Sequence, residues 1–351
     1  MSQFNIGQLT VGDGVPPLVI AEIGANHDGS FRKAEDMVKK VAAAGVKAVK
    51  FQFYTANELV ADQSRVVNWG PPSNTRAETI GAMFNRLSLS LEEMKELFSL
   101  AGQLNMEAFA TPYSEQGADK LADIGVSCFK IASSDVTHLP MLRHIARLNR
   151  PVILSIGKCT LAEADIAIDC LMANGCKYIA VLHCVATYPS PMHEMNLRVI
   201  PTLKSLYPEL VIGFSDHSVG ITAAVAATAL GARIIEKHVT LDKADPGPDH
   251  WFSLDMDKLS ELVKAVRDAD IAMGHPRKRV LECEQQGREK ATRSLVAAVD
   301  LKSGSVLQPQ DIKIVRPGDG ISPIHFENVI GMKLSKDITA NTPIMWKDLK
   351  P

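Results

Sequence analysis

The sequence has no long block of like charge, no apolar stretch approaching the roughly 18 residues of a bilayer span, and no Cys-x-x-Cys pair. Without a basic arm or patch, a nucleic-acid partner is not expected, and without a long apolar run neither is a membrane role. The first residues, MSQFNIGQLTVGDG, lack a basic segment followed by an apolar one, so no secretory signal is expected and the cytoplasm is the expected location. Six cysteines (Cys128, Cys159, Cys170, Cys176, Cys184 and Cys283) are spread along the chain, several inside apolar runs where a thiol behaves as a small hydrophobe. All are expected to be reduced and structural. Cys184, beside His183, is the one to consider as a nucleophile.

The chain of 351 residues is 46% apolar and 22% charged, with a formal net charge of -2, an ordinary soluble globular composition. From residue 18 onward, short β-branched runs alternate with amphipathic segments, which predicts βα units and a parallel sheet. The runs are 18–24, 48–54, 107–113, 128–133, 151–157, 178–185, 210–217 and 233–240. Eight such units suit a closed α/β barrel, the (β/α)8 or TIM fold, which takes about 250 residues and leaves a small second domain. Ser30 and Ser90 stand at helix N-cap positions, and Glu93 completes a capping box with Ser90.

The segment from Thr55 to Ser88 is long for a βα loop, and a second long loop, DKADPGPDHWFSLD, follows the eighth strand. In a barrel both hang over the C-terminal mouth. Beyond the eighth helix pattern the chain turns polar. The expected division is a barrel domain over 1–280, a linker over 281–293 and a small β-rich domain over 294–351. In that last part DLKSGSVLQPQDIK (300–313) aligns without a gap with DITANTPIMWKDLK (337–350), an internal repeat whose copies read as hairpin-like units.

Polar residues gather at the C-terminal ends of the predicted strands, which converge on one funnel in a barrel. Around the ring these are Glu22, Asn26, His27, Lys50, Gln52, Thr111, Lys130, Ser133, Asp135, Ser155, Tyr188, Ser215, Asp216, His217, Glu236 and His238. His217 and His238 end the seventh and eighth strands and could reach one transition-metal ion, although a lone strand-end histidine is more often a hydrogen-bonded structural group. Lys50 and Lys130 lie in apolar strands, so each points into the mouth, pairs with a carboxylate such as Glu22 or Asp135, or snorkels outward. With the nearby hydroxyls they make an inventory suited to a phosphate monoester. Glu22 and Asp135 are acid–base candidates or counter-charges, and Asp249 sits on the stiff PGPDH turn, either as a sugar-binding carboxylate or in a plain loop. His27, His183 and Glu236 carry less weight as buried structural groups, and Lys237 should face away from the site by strand alternation.

The motifs AEIGANHDGS, VKFQFY, FATPYS, FKIASSD, ILSIGK, LHCVATYP, IGFSDHS, EKHVTLD and PGPDH resemble, in order, those of the sialic acid synthase family. RSLVAAVDLKSG, VRPGDGISP and GMKLSKDI resemble the antifreeze-like (SAF) domain that ends those enzymes. The resemblance implies condensation of phosphoenolpyruvate with an N-acylated mannosamine-type sugar, in its open aldehyde form, and water, giving a nonulosonic acid and phosphate with C–O cleavage. It also implies Mn²⁺ or Mg²⁺ held by His217 and His238. By the same resemblance Lys50, Thr111, Lys130, Ser133, Ser155 and Ser215 hold phosphoenolpyruvate, Glu22 and Asp135 are acid–base residues, and Tyr188 and Asp249 bind the sugar. Arg316 matches an arginine delivered by the other subunit, which implies a domain-swapped homodimer.

Two positions depart from the family pattern: Ala186 stands where relatives carry a polar residue, and Lys158 where Met is common. The retained PGPD is similar to the neuraminate and legionaminate branches more than to the pseudaminate branch. Two other readings compete: a Schiff-base aldolase built on Lys130, which borohydride would trap, and a carbohydrate-binding module on a degenerate barrel, which phosphate release would exclude.

Overall fold

A computed structural model describes residues 2–350. Eight parallel strands close into a barrel: β3 (Leu18–Glu22), β4 (Ala48–Phe53), β7 (Glu107–Pro112), β8 (Phe129–Ile131), β9 (Val152–Ser155), β10 (Ile179–Cys184), β11 (Val211–Asp216) and β12 (Ile234–His238), with β12 returning to β3. Every expected strand is present. Before them a hairpin, β1 (Gln3–Ile6) and β2 (Leu9–Gly12), turns at Gly7, whose φ of 55° a side chain would resist.

Strand alternation builds the core and the mouth together. Phe51 and Phe129 are fully buried, and Phe51 meets Phe98 of helix Leu91–Gln103 at 6.2 Å, on the helix side of the wall. Their neighbours Lys50 and Lys130 therefore point inward. Register then sets the level of each inward group: His238 lies opposite Glu22, Glu22 opposite Lys50, and Ser215 opposite Glu236. Several outer helices begin on side-chain caps, as at Ser30 and at Ser90, whose hydroxyl accepts from Glu93 N at 3.2 Å while the Glu93 carboxylate accepts from Ser90 N at 2.8 Å.

The 55–88 segment, expected as a long loop, folds locally. It holds a short helix, Ala56–Leu59, an antiparallel pair, β5 (Val66–Trp69) with β6 (Arg76–Thr79), and helix Ile80–Leu87. Trp69 organises it: its indole N–H donates to Glu78 at 2.8 Å, and the guanidinium groups of Arg76 and Arg86 each lie 5.7 Å from the ring. Among the described residues no helix is long and apolar enough to cross a membrane.

The chain divides into two compact units between Gly274 and His275. The second has its own core, with Leu295, Leu301, Leu307, Ile338 and Ile344 buried together. Its repeat is real, but its copies are not hairpins. The strand ending each copy pairs with an earlier segment: β14 (Ile312–Val315) with β13 (Ser294–Ala297), and β16 (Leu349–Lys350) with β15 (Lys333–Leu334). The two copies are instead joined reciprocally. Asp300 accepts from Ala340 N at 2.7 Å and Asp337 accepts from Ser303 N at 2.8 Å, so the leading aspartate of each copy caps the turn of the other. Gly304 and Asn341 take a positive φ in those turns.

Candidate active site

The inward groups meet in a narrow cavity at the C-terminal end of the barrel, lined by Glu22, Lys50, Gln52, Thr111, Tyr113, Lys130, Ser133, Ser155, Cys184, Tyr188, Ser215, His217, Glu236 and His238. Ten of the thirteen residues assigned a role in the reading above therefore line one space. Asp135 and Asp249 do not line it, and Arg316 belongs to the second unit. Asp135 follows Ser133 on a one-turn 3-10 helix, where its carboxylate accepts from Ser134 Oγ at 3.2 Å and burial holds its pKa above the ordinary value. Asp249 reaches from its loop to His238, with Oδ2 3.4 Å from Nδ1.

Two lysines and two glutamates form the floor. Lys50 Nζ lies 2.7 Å from Glu22 Oε2, 3.6 Å from Glu236 Oε1 and 3.4 Å from Thr111 Oγ1. Lys130 Nζ donates to Ser155 Oγ at 2.7 Å and lies 3.9 Å from Glu236. Glu236 is thus shared between both ammonium groups, and Ser215 Oγ also donates to it at 3.3 Å. Burial pushes Glu22 up, more than Lys50 pulls it down, whereas for Glu236 the two lysines outweigh burial and hold it low. Lys130 is pushed down by burial and by Lys50; Lys50 stays above its ordinary value because its two glutamates overcome burial.

Glu236 is the functional candidate that the sequence reading underrated. Its signal was available: the alternation that sends Lys237 outward sends Glu236 and His238 inward. Tyr113, one residue past β7, was not singled out at all. In contrast Asp216, counted in the ring, turns away from the cavity and binds Lys237 at 2.7 Å, and Lys237 faces outward as expected. His183 and His27 are structural, with His183 Nε2 2.7 Å from Met195 O and His27 Nδ1 accepting from Gly29 N at 3.0 Å. The Cys184 thiol lies 3.7 Å from His217 Nδ1, but burial raises its pKa, which disfavours a nucleophilic thiolate.

The imidazoles of His217 and His238 face each other across the rim with ring centroids 5.3 Å apart, and the Tyr188 ring lies 4.3 Å from that of His217. Their environments suit a divalent ion. His217 Nδ1 is 3.1 Å from Val185 O, so a proton there leaves Nε2 with a free lone pair, and burial keeps the ring neutral with a pKa of about 3. His238 Nδ1 is buried, without an aligned hydrogen bond, beside a carboxylate that makes the ring a stronger donor. A second group, Asp28, Asp245 and His250, also brings ligand atoms within 4.8 Å of one another. There the Lys33 ammonium already bridges both carboxylates, at 2.5 and 2.6 Å, so the group is an ion-paired cluster.

Comparison with known proteins shows the family. Residues 37–278 match the model of the NeuB family, and residues 292–350 match that of the SAF domain. An N,N'-diacetyllegionaminic acid synthase of Legionella pneumophila is 34% identical over 97% of this chain and 96% of its own. The human N-acetylneuraminate-9-phosphate synthase is 33% identical over 95% and 93%. A crystal structure of the N-acetylneuraminic acid synthetase of Leptospira borgpetersenii, in complex with citrate, superposes with a TM-score of 0.74 at 31% identity, covering 82% of this chain and 95% of that one. The barrel of a truncated 3-deoxy-D-arabino-heptulosonate 7-phosphate synthase of Thermotoga maritima, at 17% identity and a TM-score of 0.58, shares the fold.

Proposed function

Because the chain is an enzyme of the NeuB family ending in a SAF domain, we propose that it condenses phosphoenolpyruvate with an N-acylated mannosamine-type aldehyde and water, releasing phosphate and a nonulosonic acid. The observation that carries this reading is the cavity floor, where two buried lysines and four hydroxyls meet two buried carboxylates beneath an imidazole pair. Lys50 and Lys130, with Thr111, Ser133, Ser155 and Ser215, bind the phosphate and carboxylate of phosphoenolpyruvate. Their charges are already balanced by Glu22 and Glu236, so an arriving trianion favours protonation of one carboxylate. Glu22, whose pKa burial raises, is the group suited to take that proton.

A divalent cation, Mn²⁺ or Mg²⁺, held by His217 and His238 would supply Lewis-acid polarisation of the sugar carbonyl. In the reaction C3 of phosphoenolpyruvate bonds to the aldehyde carbon, whose oxygen gains a proton. Water adds at C2 and gives up a proton, and the C2–O bond to phosphate then breaks as the new C2 hydroxyl becomes the ketone and its proton leaves with the phosphate. Glu22, on the cavity floor, and Asp135, on the turn that begins at the lining residue Ser133, handle the first two of these protons. Tyr188 and Asp249 at the rim orient the sugar, and Arg316 of the partner subunit meets its N-acyl group in a domain-swapped homodimer.

Phosphate release tests this directly. With phosphoenolpyruvate and Mn²⁺ present, one member of a panel of N-acyl-mannosamines, their 6-phosphates and diacetylated 6-deoxyhexoses should drive stoichiometric release that stops in EDTA. Borohydride trapping of a Lys130 adduct, or release indifferent to EDTA, would replace this reading with a Schiff-base aldolase. The PGPD element, similar to that of the neuraminate and legionaminate branches, points to those sugars ahead of the pseudaminate type.

A further inference from the structure

The loop after β12 carries Asp249, yet it contains no helix or strand between Leu241 and His250 that could hold that carboxylate in place. What holds it comes from the opposite end of the chain. Asn26, in the loop after β3, is fully buried and donates through Nδ2 to Val239 O at 2.8 Å and to Ser253 Oγ at 2.9 Å. Ser253 Oγ in turn donates to the carbonyl of Asp249 at 2.6 Å. His250, next to Asp249 and also fully buried, has Nδ1 2.6 Å from Thr240 Oγ1 and Nε2 3.2 Å from Asp28 Oδ1. Asp28 and Asp245 are tied together through Lys33. Gly247 leaves no slack, since a Cβ there would come within 2.5 Å of His250 Cδ2 and 3.1 Å of Asp28 Oδ1.

We propose that Asn26, Asp28 and His250 form a latch between the first and last loops of the barrel, and that they are positioning residues for the sugar, acting through Asp249. The loop is gripped before Asp249 (at Asp245), after it (at His250) and at its own carbonyl (through Ser253). A carboxylate fixed in this way accepts a sugar hydroxyl without first losing loop freedom on binding. None of Asn26, Asp28, Asp249 and His250 lines the cavity assigned to phosphoenolpyruvate. The latch therefore separates the two substrates: breaking it weakens the sugar and spares phosphoenolpyruvate. The inference rests on the reading of Asp249 as a sugar contact.

The test is steady-state phosphate release by the full-length, metal-loaded enzyme with each substrate varied in turn, for Asp28→Asn, Asp28→Ala, His250→Gln, Asn26→Ala, Asp249→Asn and the double variant Asp28→Ala/Asp249→Asn. Breaking the latch should raise KM for the sugar about tenfold, the loss of one charge-assisted hydrogen bond. KM for phosphoenolpyruvate should stay within about twofold, and Asp28→Asn, which keeps an oxygen for His250, should be milder than Asp28→Ala. In the Asp249→Asn background the Asp28→Ala change should add nothing further, a coupling that a merely structural residue does not show. If Asp249→Asn raises the sugar KM while the latch variants leave it unchanged, shift both KM values together, or add fully to Asp249→Asn, the latch is refuted and the role of Asp249 stands. If Asp249→Asn itself leaves the sugar KM unchanged, the role of Asp249 fails and the latch falls with it. Should Asp28→Ala not fold, His250→Gln and Asn26→Ala carry the same comparison.

Discussion

On the outward face of β11 and β12, Asp216 and Lys237 meet at 2.7 Å; Lys237 also donates to Ser218 O, and the second Asp216 oxygen accepts from Ser218 N at 2.8 Å. On the inward face, one residue away, Glu236 and His238 are also buried, but Glu236 Oε2 has no hydrogen-bond partner and His238 Nδ1 has only the Asp249 carboxylate, 3.4 Å away and poorly aligned. Both faces are buried and satisfaction differs. Buried polar atoms are almost always paired, so an unpaired carboxylate oxygen facing the cavity is capacity for a ligand. The outward pair is structural, and the inward set is the candidate site.

The largest effect that tests this contrast is at the rim. His217→Ala or His238→Ala should abolish metal-dependent condensation while the variants keep their far-UV spectrum and melting temperature, and each should lose Mn²⁺ binding measured by water-proton relaxation. Full activity in both would end the metal assignment. Next come the lysines on the two faces. Lys130→Met should lower the rate about 10³-fold, as loss of a preorganised charge on a reacting anion does, with little change in unfolding midpoint because Glu236 keeps Lys50. Lys237→Met should do the reverse, costing about 3–5 kcal/mol in urea unfolding by stranding a buried Asp216, with kcat nearly intact in the folded fraction. A Lys237→Met variant as stable as the parent would erase the distinction between the faces.

Much of this was legible in the sequence, for physical reasons. The eight strands declare themselves because each is a β-branched run ending in polar residues, a pattern imposed by a barrel that is apolar in its wall and polar at its mouth. The lysines, hydroxyls and histidines were readable from the same pattern. Glu236 is readable too, since the alternation that sends Lys237 outward aims it inward, but its place before the strand end makes it resemble a buried structural group. Local folding of the 55–88 segment depends on Trp69 finding Glu78, Arg76 and Arg86, partners that its own spacing does not announce. The repeat was visible as a repeat, but the exchange of caps between Asp300 and Asp337 exists only once the copies face each other. Likewise nothing in ANHDGS shows that Asn26 and Asp28 serve a loop more than two hundred residues away.

The smallest effect sharpens the contrast from a third place, the Lys33 cluster, which is charged and only partly buried. Burial would raise the Asp28 pKa from 3.8, but its bonds to His250 and Lys33 overcome this and lower it; Lys33 is pushed down by burial, yet Asp245 and Asp28 hold it above 10.5. A carboxylate whose folded pKa lies below its unfolded value stabilises the fold above that unfolded value, and the contribution fades as pH falls through the folded one. For Lys33 the sign reverses: its contribution is complete below 10.5 and is lost as pH rises through the higher folded value. Both therefore act fully at neutral pH. Asp28→Asn should lower stability there by about 1 kcal/mol, as fits a pair with side-chain exposures of 18% and 23%. The deficit should shrink as pH falls below 3.8, where Asp28 of the unfolded parent takes up its proton while the folded one, with its lowered pKa, still resists. Urea midpoints measured from pH 3 to 8 would show the two curves converging at the acid end; parallel curves would mean that Asp28 holds its loop by shape and hydrogen bonding alone, without its charge.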